Sequence, residues 1–336
     1  MRTPTSIVID RRLANRTLLE LLQASFQLSR KRALATLHNR QVRICGGVCI
    51  DPQRRVKIGQ NIQLCSPLHP GGEGPGVKGS GCAKPAKSIL SPIARQIIVR
   101  YVDDHIAIVE KPAGLTTVRH ADEVQSLGPR AKKFLPPTLV DLMPAVLPRA
   151  GKPTKSRIRA VHRIDKETSG LVILARTPAA ESDLGKQFRA HSTGRHYLAL
   201  VRGHAKDARI ESQLVPDRGD GRRGSGAGGQ TAVTHVRVVE SLGAFTLVEC
   251  RLETGRTHQV RIHLGEVGTP LCGERVYDRP RHGKPAPDTS GAERPMLHAA
   301  YLAIDHPATG KRLEWHAKLP KDMSELVKRM KSEPEA

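Results

Sequence analysis

The chain has 336 residues, enough for two domains and a sizeable core. Its 55 Lys+Arg against 32 Asp+Glu give a net charge of +23, and residues 1–66 alone hold 12 basic and 3 acidic residues. This balance favours a polyanion such as nucleic acid as partner, because each cation set against a phosphate releases counterions. A membrane role is excluded as an expectation: no run reaches the ~18 apolar residues of a span, and none at the N-terminus is of signal-peptide type.

From the N-terminus, Thr17-Leu-Leu-Glu20 has capping-box form and predicts a short apolar helix through Leu22. Ser29 caps a second helix, "SRKRALATLHNR", with Ala33, Leu34 and Leu37 on one face. Arg30, Lys31 and Arg32 fill its first turn, where cations oppose the helix dipole. That placement costs stability and points to a purpose outside the fold, namely phosphate contact. "QVRICGGVCI" predicts a hairpin turning at Gly46-Gly47, and "RRVKIGQNIQL" one more strand. Cys45 and Cys49 form a lone C-x3-C. Without a second pair they are expected to be reduced rather than metal ligands, and six Cys in so long a chain are no disulfide framework. A reducing, cytoplasmic setting follows as an expectation.

Residues 16–64 resemble the small RNA-binding module named after ribosomal protein S-four. The likeness rests on the helix pair, Ser29-Arg30, Val42-Arg43-Ile44 and the ending Val56 to Ile62. Gly46-Gly47 replaces the usual Asn-Gly turn, and Gln60 the usual Asp. The resemblance implies RNA contacts from Arg16, Ser29, Arg30, Lys31, Arg32, Arg40 and Arg43. The expected organisation is an α+β RNA-binding domain over 1–66, a flexible Gly/Pro/Lys linker over 67–94, a catalytic domain over 95–325 and a basic tail over 326–336.

From about residue 95 strands recur: "RQIIVRYVD", "HIAIVEKPAG", "GLVILAR", "HYLALVRG", "AVTHVRVVE", "AFTLVECRL" and "MLHAAYLAID". Helical stretches lie between them, notably 138–147 and 177–190, the second opened by Thr177 as N-cap and Pro178. Strands without strict βαβ alternation predict an α+β fold with a mixed, mostly antiparallel central sheet flanked by helices and loops. Residues 216–230 and 278–295 read as surface insertions. The stretch from Lys321 reads as a short helix followed by a frayed end.

Four windows carry candidate chemistry. In "AVHRIDKETSGLVILAR" (160–176), Asp165 follows His162 and Arg163 and precedes a polar turn and an apolar strand. A lone Asp there is ordinarily a turn residue; its cationic neighbours make it a candidate nucleophile or base. In "ETGRTHQVRIHLGEVGTPLCGE" (253–274), Arg256, His258, Arg261 and His263 cluster. A separation of five positions puts the two histidines off one helical face, so a metal site is not expected. Arg261, between Val260 and Ile262, is placed to pair with a carboxylate or clamp a phosphate. In "DDHIAIVEKPAGLTTV" (103–118) a strand leads into a rigid Lys111–Leu115 loop. In "GRHYLALVRGH" (194–204) Tyr197 enters a strand, as a core residue or a base-stacking one.

Together the windows resemble the RluA-type family of RNA pseudouridine synthases. The carrying residues are Lys111 to Leu115, His162 to Leu171, Tyr197 to Gly203, Gly255 to His263, Leu297-His298-Ala299 through Leu302, and His306-Pro307, in the family's order. Ile164 stands for the family's Leu and Arg195 for its usual Lys. The resemblance implies Asp165 as catalytic carboxylate, Arg261 as its ion-pair partner and Tyr197 as the base-stacking residue. It also implies Arg163 in place of the everted uridine, His162 and Arg256 at the RNA, and Leu302 as the apolar wall behind the base. The implied protein is a monomeric enzyme without cofactor or metal, acting on ribosomal RNA in preference to transfer RNA. The rival reading is a catalytically inactive RNA-binding or ribosome-assembly factor.

Overall fold

The computed structural model describes residues 6–10, 13–38, 41–44, 47–49, 51–56, 59–64, 91–119, 135–151, 157–280 and 283–332. Among these the chain divides into two compact units, one within residues 1–86 with 120–136 and one from 87–119 with 137–336.

The first unit is a four-stranded antiparallel sheet with two helices. The strands are β1 (Ser6–Val8), β2 (Val42–Ile44), β3 (Gly47–Val48) and β4 (Asn61–Leu64), in the order β1-β4-β2-β3. Helix α1 (Leu18–Ser25) opens on the expected capping box: Glu20 N–H donates to Thr17 Oγ1 at 3.3 Å, and Thr17 N–H to Glu20 Oε2 at 2.9 Å. Helix α2 (Arg30–His38) opens where Arg32 N–H donates to Ser29 Oγ at 3.3 Å. Leu18, Leu21, Leu22, Phe26, Ala33 and Leu37 bury against Val42, Val56 and Ile62. The polar face of α2 leaves Arg30, Lys31 and Arg32 exposed, and Arg16 is exposed ahead of α1. Arg43 lies in β2. Arg40, Gly46 and most of the expected linker lie outside the described residues.

The second unit is built on an eleven-stranded mixed sheet in the order β11-β10-β12-β13-β9-β14-β8-β6-β5, with β15 added to β14 and β7 to β8. The strands are β5 (Ile98–Val102), β6 (Ile106–Lys111), β7 (Arg159–Ala160), β8 (Ser169–Ala175), β9 (Gly194–Arg202), β10 (Ala208–Val215), β11 (Gly224–Ser225), β12 (Gln230–Leu242), β13 (Phe245–Leu252), β14 (Leu297–Asp305) and β15 (Arg312–His316). Among the described pairs only β8–β14 runs parallel; the others are antiparallel. The helices are α3 (Pro92–Arg95), α4 (Leu139–Val146), α5 (Pro178–Arg189), α6 (Gln259–Glu266) and α7 (Lys321–Ser332).

Strand β8 explains the apolar run "GLVILA". Val172 and Leu174 pack on one side with Leu139 and Met143 of α4, while Leu171 and Ile173 pack on the other with Leu184 of α5. A strand covered on both faces reads as a continuous apolar run instead of an alternating one.

Three expected boundaries move. Helix α3 starts inside the expected linker because Ala94 and Ile97 bury in the core of this unit. The short helix expected from Lys321 forms as α7, and it runs on through most of the stretch expected as a basic tail from 326. Its Met323, Leu326, Val327 and Met330 recur at helical spacing and pack against Leu200, Leu242 and Cys272. The second expected surface insertion is built into the fold at its C-terminal end. Ser290 and Arg294 are buried, and Arg294 Nε donates to Asp322 Oδ2 at 2.7 Å.

Candidate active site

Asp165 opens the turn between β7 and β8, where Thr168 N–H donates to its carbonyl at 3.1 Å. The neighbouring backbone is held from distant parts of the chain. Thr117 Oγ1 donates to the Ile164 carbonyl at 2.8 Å and accepts from Ile164 N–H at 3.3 Å. The Lys166 carbonyl accepts from Gly114 N–H at 2.9 Å and from Lys111 Nζ at 3.1 Å. The Glu167 carbonyl accepts from Arg294 Nη1 at 3.2 Å. Every carbonyl from 164 to 167 thus has a donor, which fixes a loop that would otherwise be free to rotate. Lys111 is itself buried, donates also to Pro112 and Leu115 carbonyls at 2.9 and 2.7 Å, and is pushed down to about 7 by burial against the pull of Glu167 and Asp165. The rigid loop expected at Lys111–Leu115 is therefore the cradle of the Asp165 turn.

Gly170 begins the regular part of β8 with φ +116°. A Cβ here would lie 2.3 Å from the Ala299 carbonyl oxygen, so only glycine lets β8 and β14 approach at this point.

Among the described residues, two basic side chains face the Asp165 carboxylate, whose side chain is 18% exposed: Arg261 Nη1 lies 3.7 Å from Oδ2, and His258 Nε2 3.9 Å from Oδ1. Arg261 rides on α6, where Val260 and Ile262 bury on either side of it. The start of α6 is fixed by Gln259, whose Oε1 accepts from Arg256 N–H at 3.0 Å and from Thr254 Oγ1 at 2.8 Å. That anchoring holds His258 in the left-handed region at φ 59°, uncommon for a non-glycine residue. His258 Nδ1 is 2.8 Å from the Tyr277 hydroxyl, and burial pushes its pKa below the usual histidine value.

Arg261 has a closer partner than Asp165. Its Nε and Nη2 donate to the two oxygens of Glu274 at 2.7 and 2.8 Å, and its guanidinium lies over the Tyr277 ring, 5.3 Å from the centroid. Burial works to raise the Glu274 pKa. The Arg261 bonds and the N–H groups of Val276 and Tyr277 outweigh it and hold the carboxyl below its ordinary value. The expected Arg261–Asp165 pairing is thus one side of a three-residue arrangement. Glu274, Tyr277 and Gln259 are missed by the sequence reading; Glu274 closes the very window that singled out Arg261, but no spacing marks it.

These groups open onto a cleft of about 630 Å³. Asp165, Tyr197, Arg261, Arg163, His162 and Arg256 all line it. Tyr197, in β9, is half-buried, and burial raises its pKa, so the phenol stays protonated at neutral pH. Arg163 is exposed at the cleft. His162 faces inward: its Nε2 accepts from Ile173 N–H at 3.0 Å, and its ring stacks on Phe188 at 4.6 Å. Arg195 lies over the same Phe188 ring, 5.5 Å from the centroid. Leu302 is not brought to the cleft. It packs in the core with Ile106, Ile108 and Leu171, and Leu297 of the same strand lines the cleft instead.

Comparison with known proteins bears on this arrangement. The profile described as RNA pseudouridylate synthase matches residues 105–266. The ribosomal large subunit pseudouridine synthase D of Nitrosomonas europaea is 38% identical over 251 residues, 70% of this chain and 66% of that protein. Its namesake in Zymomonas mobilis is 37% identical over 260 residues, 73% of this chain and 75% of that protein. The solved structure of human RNA pseudouridylate synthase domain containing 4 shares the fold, with TM-score 0.54 and 22% identity over 71% of this chain and 94% of its own. The matched stretch runs through the turn of Asp165, the strand of Tyr197 and the helix of Arg261, and the chain belongs to the RNA pseudouridylate synthase family.

Proposed function

We propose that this protein isomerises uridine to pseudouridine in ribosomal RNA of the large subunit. The observation that carries this reading is Asp165: a partly exposed carboxylate on a fully braced turn, in a cleft whose other walls supply Arg261, His258 and Tyr197. The names of the relatives support the choice of RNA.

In this reaction the bond from the ribose anomeric carbon to the base nitrogen breaks. The base turns, a bond forms to its carbon five, and the proton on carbon five is lost while the freed nitrogen gains one. Asp165 acts on the ribose, by attack at the anomeric carbon or by taking a ribose proton. Either use matches a carboxylate set against an oxocarbenium-like centre. One carboxylate suffices, since the base returns to the sugar and no water replaces it. Tyr197, its phenol protonated, stacks on the base, and the carbon-five proton passes to water. Arg163 fills the space vacated in the RNA, offsetting part of the few kcal/mol that flipping costs. Arg256, half-buried at the cleft, meets the backbone, and Leu297 takes the apolar-wall role expected of Leu302. His162 serves by holding Ile173 and Phe188.

The first unit acts as an RNA anchor of the S-four type, through Arg16, Arg30, Lys31 and Arg32, with Ser29 setting the start of α2. The test is a pseudouridine map of ribosomal RNA from cells with and without the gene. Loss of one or more large-subunit sites, restored by the intact gene, is the expected result; an unchanged map refutes the reading.

A further inference from the structure

Glu274 has a fully buried side chain, and a buried carboxylate is costly unless its lone pairs are met. Here they are met: one oxygen accepts from Arg261 Nη2 at 2.8 Å and from the N–H groups of Arg275 and Val276 at 3.1 and 2.9 Å, and the other from Arg261 Nε at 2.7 Å. The guanidinium therefore presents its bidentate edge to Glu274 and only Nη1 to Asp165. A guanidinium with one carboxylate to serve closes on it at roughly 2.7–2.9 Å. The Arg261–Asp165 separation is 3.7 Å, too long for a hydrogen bond.

The same short segment governs the other side of Asp165. Tyr277, three residues beyond Glu274, supports the Arg261 guanidinium with its ring and holds His258 through its hydroxyl at 2.8 Å. So Arg261 facing Oδ2 and His258 facing Oδ1 are both set by residues 274–277.

We propose that Glu274 is a positioning residue for Asp165, acting through Arg261. By occupying the bidentate edge of the guanidinium it leaves Asp165 in a positive field without a locking hydrogen bond, so the carboxylate stays free to reach the ribose. Without Glu274, Arg261 swings onto Asp165 and engages it. The inference rests on the reading of Asp165 as the group that acts on the ribose.

The test uses the full chain and large-subunit ribosomal RNA labelled with tritium at uridine carbon five, taken from cells lacking the protein. Release of tritium gives kcat and KM. Glu274→Gln is expected to lower kcat by at least about tenfold with KM within about threefold, the signature of an interaction that matters in the transition state. In an Arg261→Met background, adding Glu274→Gln should lower kcat by less than about threefold more, because the residue through which Glu274 acts is already gone. A kcat for Glu274→Gln within tenfold of wild type overturns the proposal, as does a loss that multiplies fully with that of Arg261→Met. Should Glu274→Gln fail to fold, Glu274→Asp, which keeps the buried charge but shortens its reach to the guanidinium, is judged by the same kcat and KM limits. Asp165→Ala run in parallel separates the two claims. Turnover by that variant removes the reading of Asp165, whereas a dead Asp165→Ala beside an active Glu274→Gln removes only the role of Glu274.

Discussion

Lys111 Nζ donates to the carbonyl oxygen of Lys166 at 3.1 Å, across 55 positions of the chain. This contact ties the end of β6 to the turn that carries Asp165. It explains why an apolar strand ends in a buried lysine: its Nζ donates to the carbonyls of Pro112, Leu115 and Lys166, the last shared with Gly114 N–H. The reactive carboxylate is thereby held by its own main chain, and its oxygens are left to the cleft.

Asp165→Ala should abolish tritium release from labelled RNA, and Asp165→Asn should do the same, because neither side chain can act as a carboxylate. RNA affinity, measured by filter binding, should stay within about threefold, since phosphate contacts supply most of it. Near wild-type turnover by the alanine variant would falsify the catalytic assignment.

Gly170→Ala should destabilise the protein by about 3 kcal/mol or more, from the left-handed backbone and the collision with Ala299. Urea unfolding measures the loss. Turnover should fall too, because the change lies at the strand that anchors the turn. A variant as stable as wild type would mean that β8 and β14 are not so close.

Acid should weaken the fold through its buried histidines. Burial pushes His263 and His298 down to about 4 and His162 to about 3. Between the unfolded value near 6.5 and these folded values the unfolded chain binds the extra protons, so stability is full above about pH 6.5 and falls as pH drops. Each histidine contributes about 1.4 kcal/mol per pH unit in that window. His263 sits between Thr234 Oγ1 at 2.9 Å and Ser212 Oγ at 3.0 Å, with no exposure. His263→Gln should therefore reduce the stability lost between pH 7 and pH 5 by about 2 kcal/mol. Equal losses in variant and wild type, by urea unfolding at both values, would show that His263 does not titrate this way.

Deleting residues 1–66 should weaken RNA binding and flatten its dependence on salt, with kcat at saturating RNA changed far less. Each lost phosphate contact reduces the slope of log K against log salt by roughly 0.7–0.9. An unchanged slope would remove the anchoring role of Arg16, Arg30, Lys31 and Arg32.

The amino-acid sequence by itself determined what depends on local order. Capping residues placed α1, α2 and α5. Apolar runs placed most strands of the mixed sheet, and five ordered motifs placed Asp165, Tyr197 and Arg261 in one family of enzymes. Only the tertiary structure decided how these residues meet. Arg261 looked like a partner for one carboxylate, but Glu274, thirteen positions on, folds back as the nearer one, and no linear spacing records that return. Leu302 looked like a wall of the cleft. A register shift between Ala299 and Tyr301 breaks the alternation of β14, and the strand is buried on both faces, so counting along it could not tell core from cleft. Residues from 326 looked like the basic, fraying end of a short helix because their charge hides an apolar stripe that matters only once a core lies beside it. Local propensity is written residue by residue. Which buried charge faces which, and which apolar face meets a cleft, is set by chain crossings that bring distant segments together.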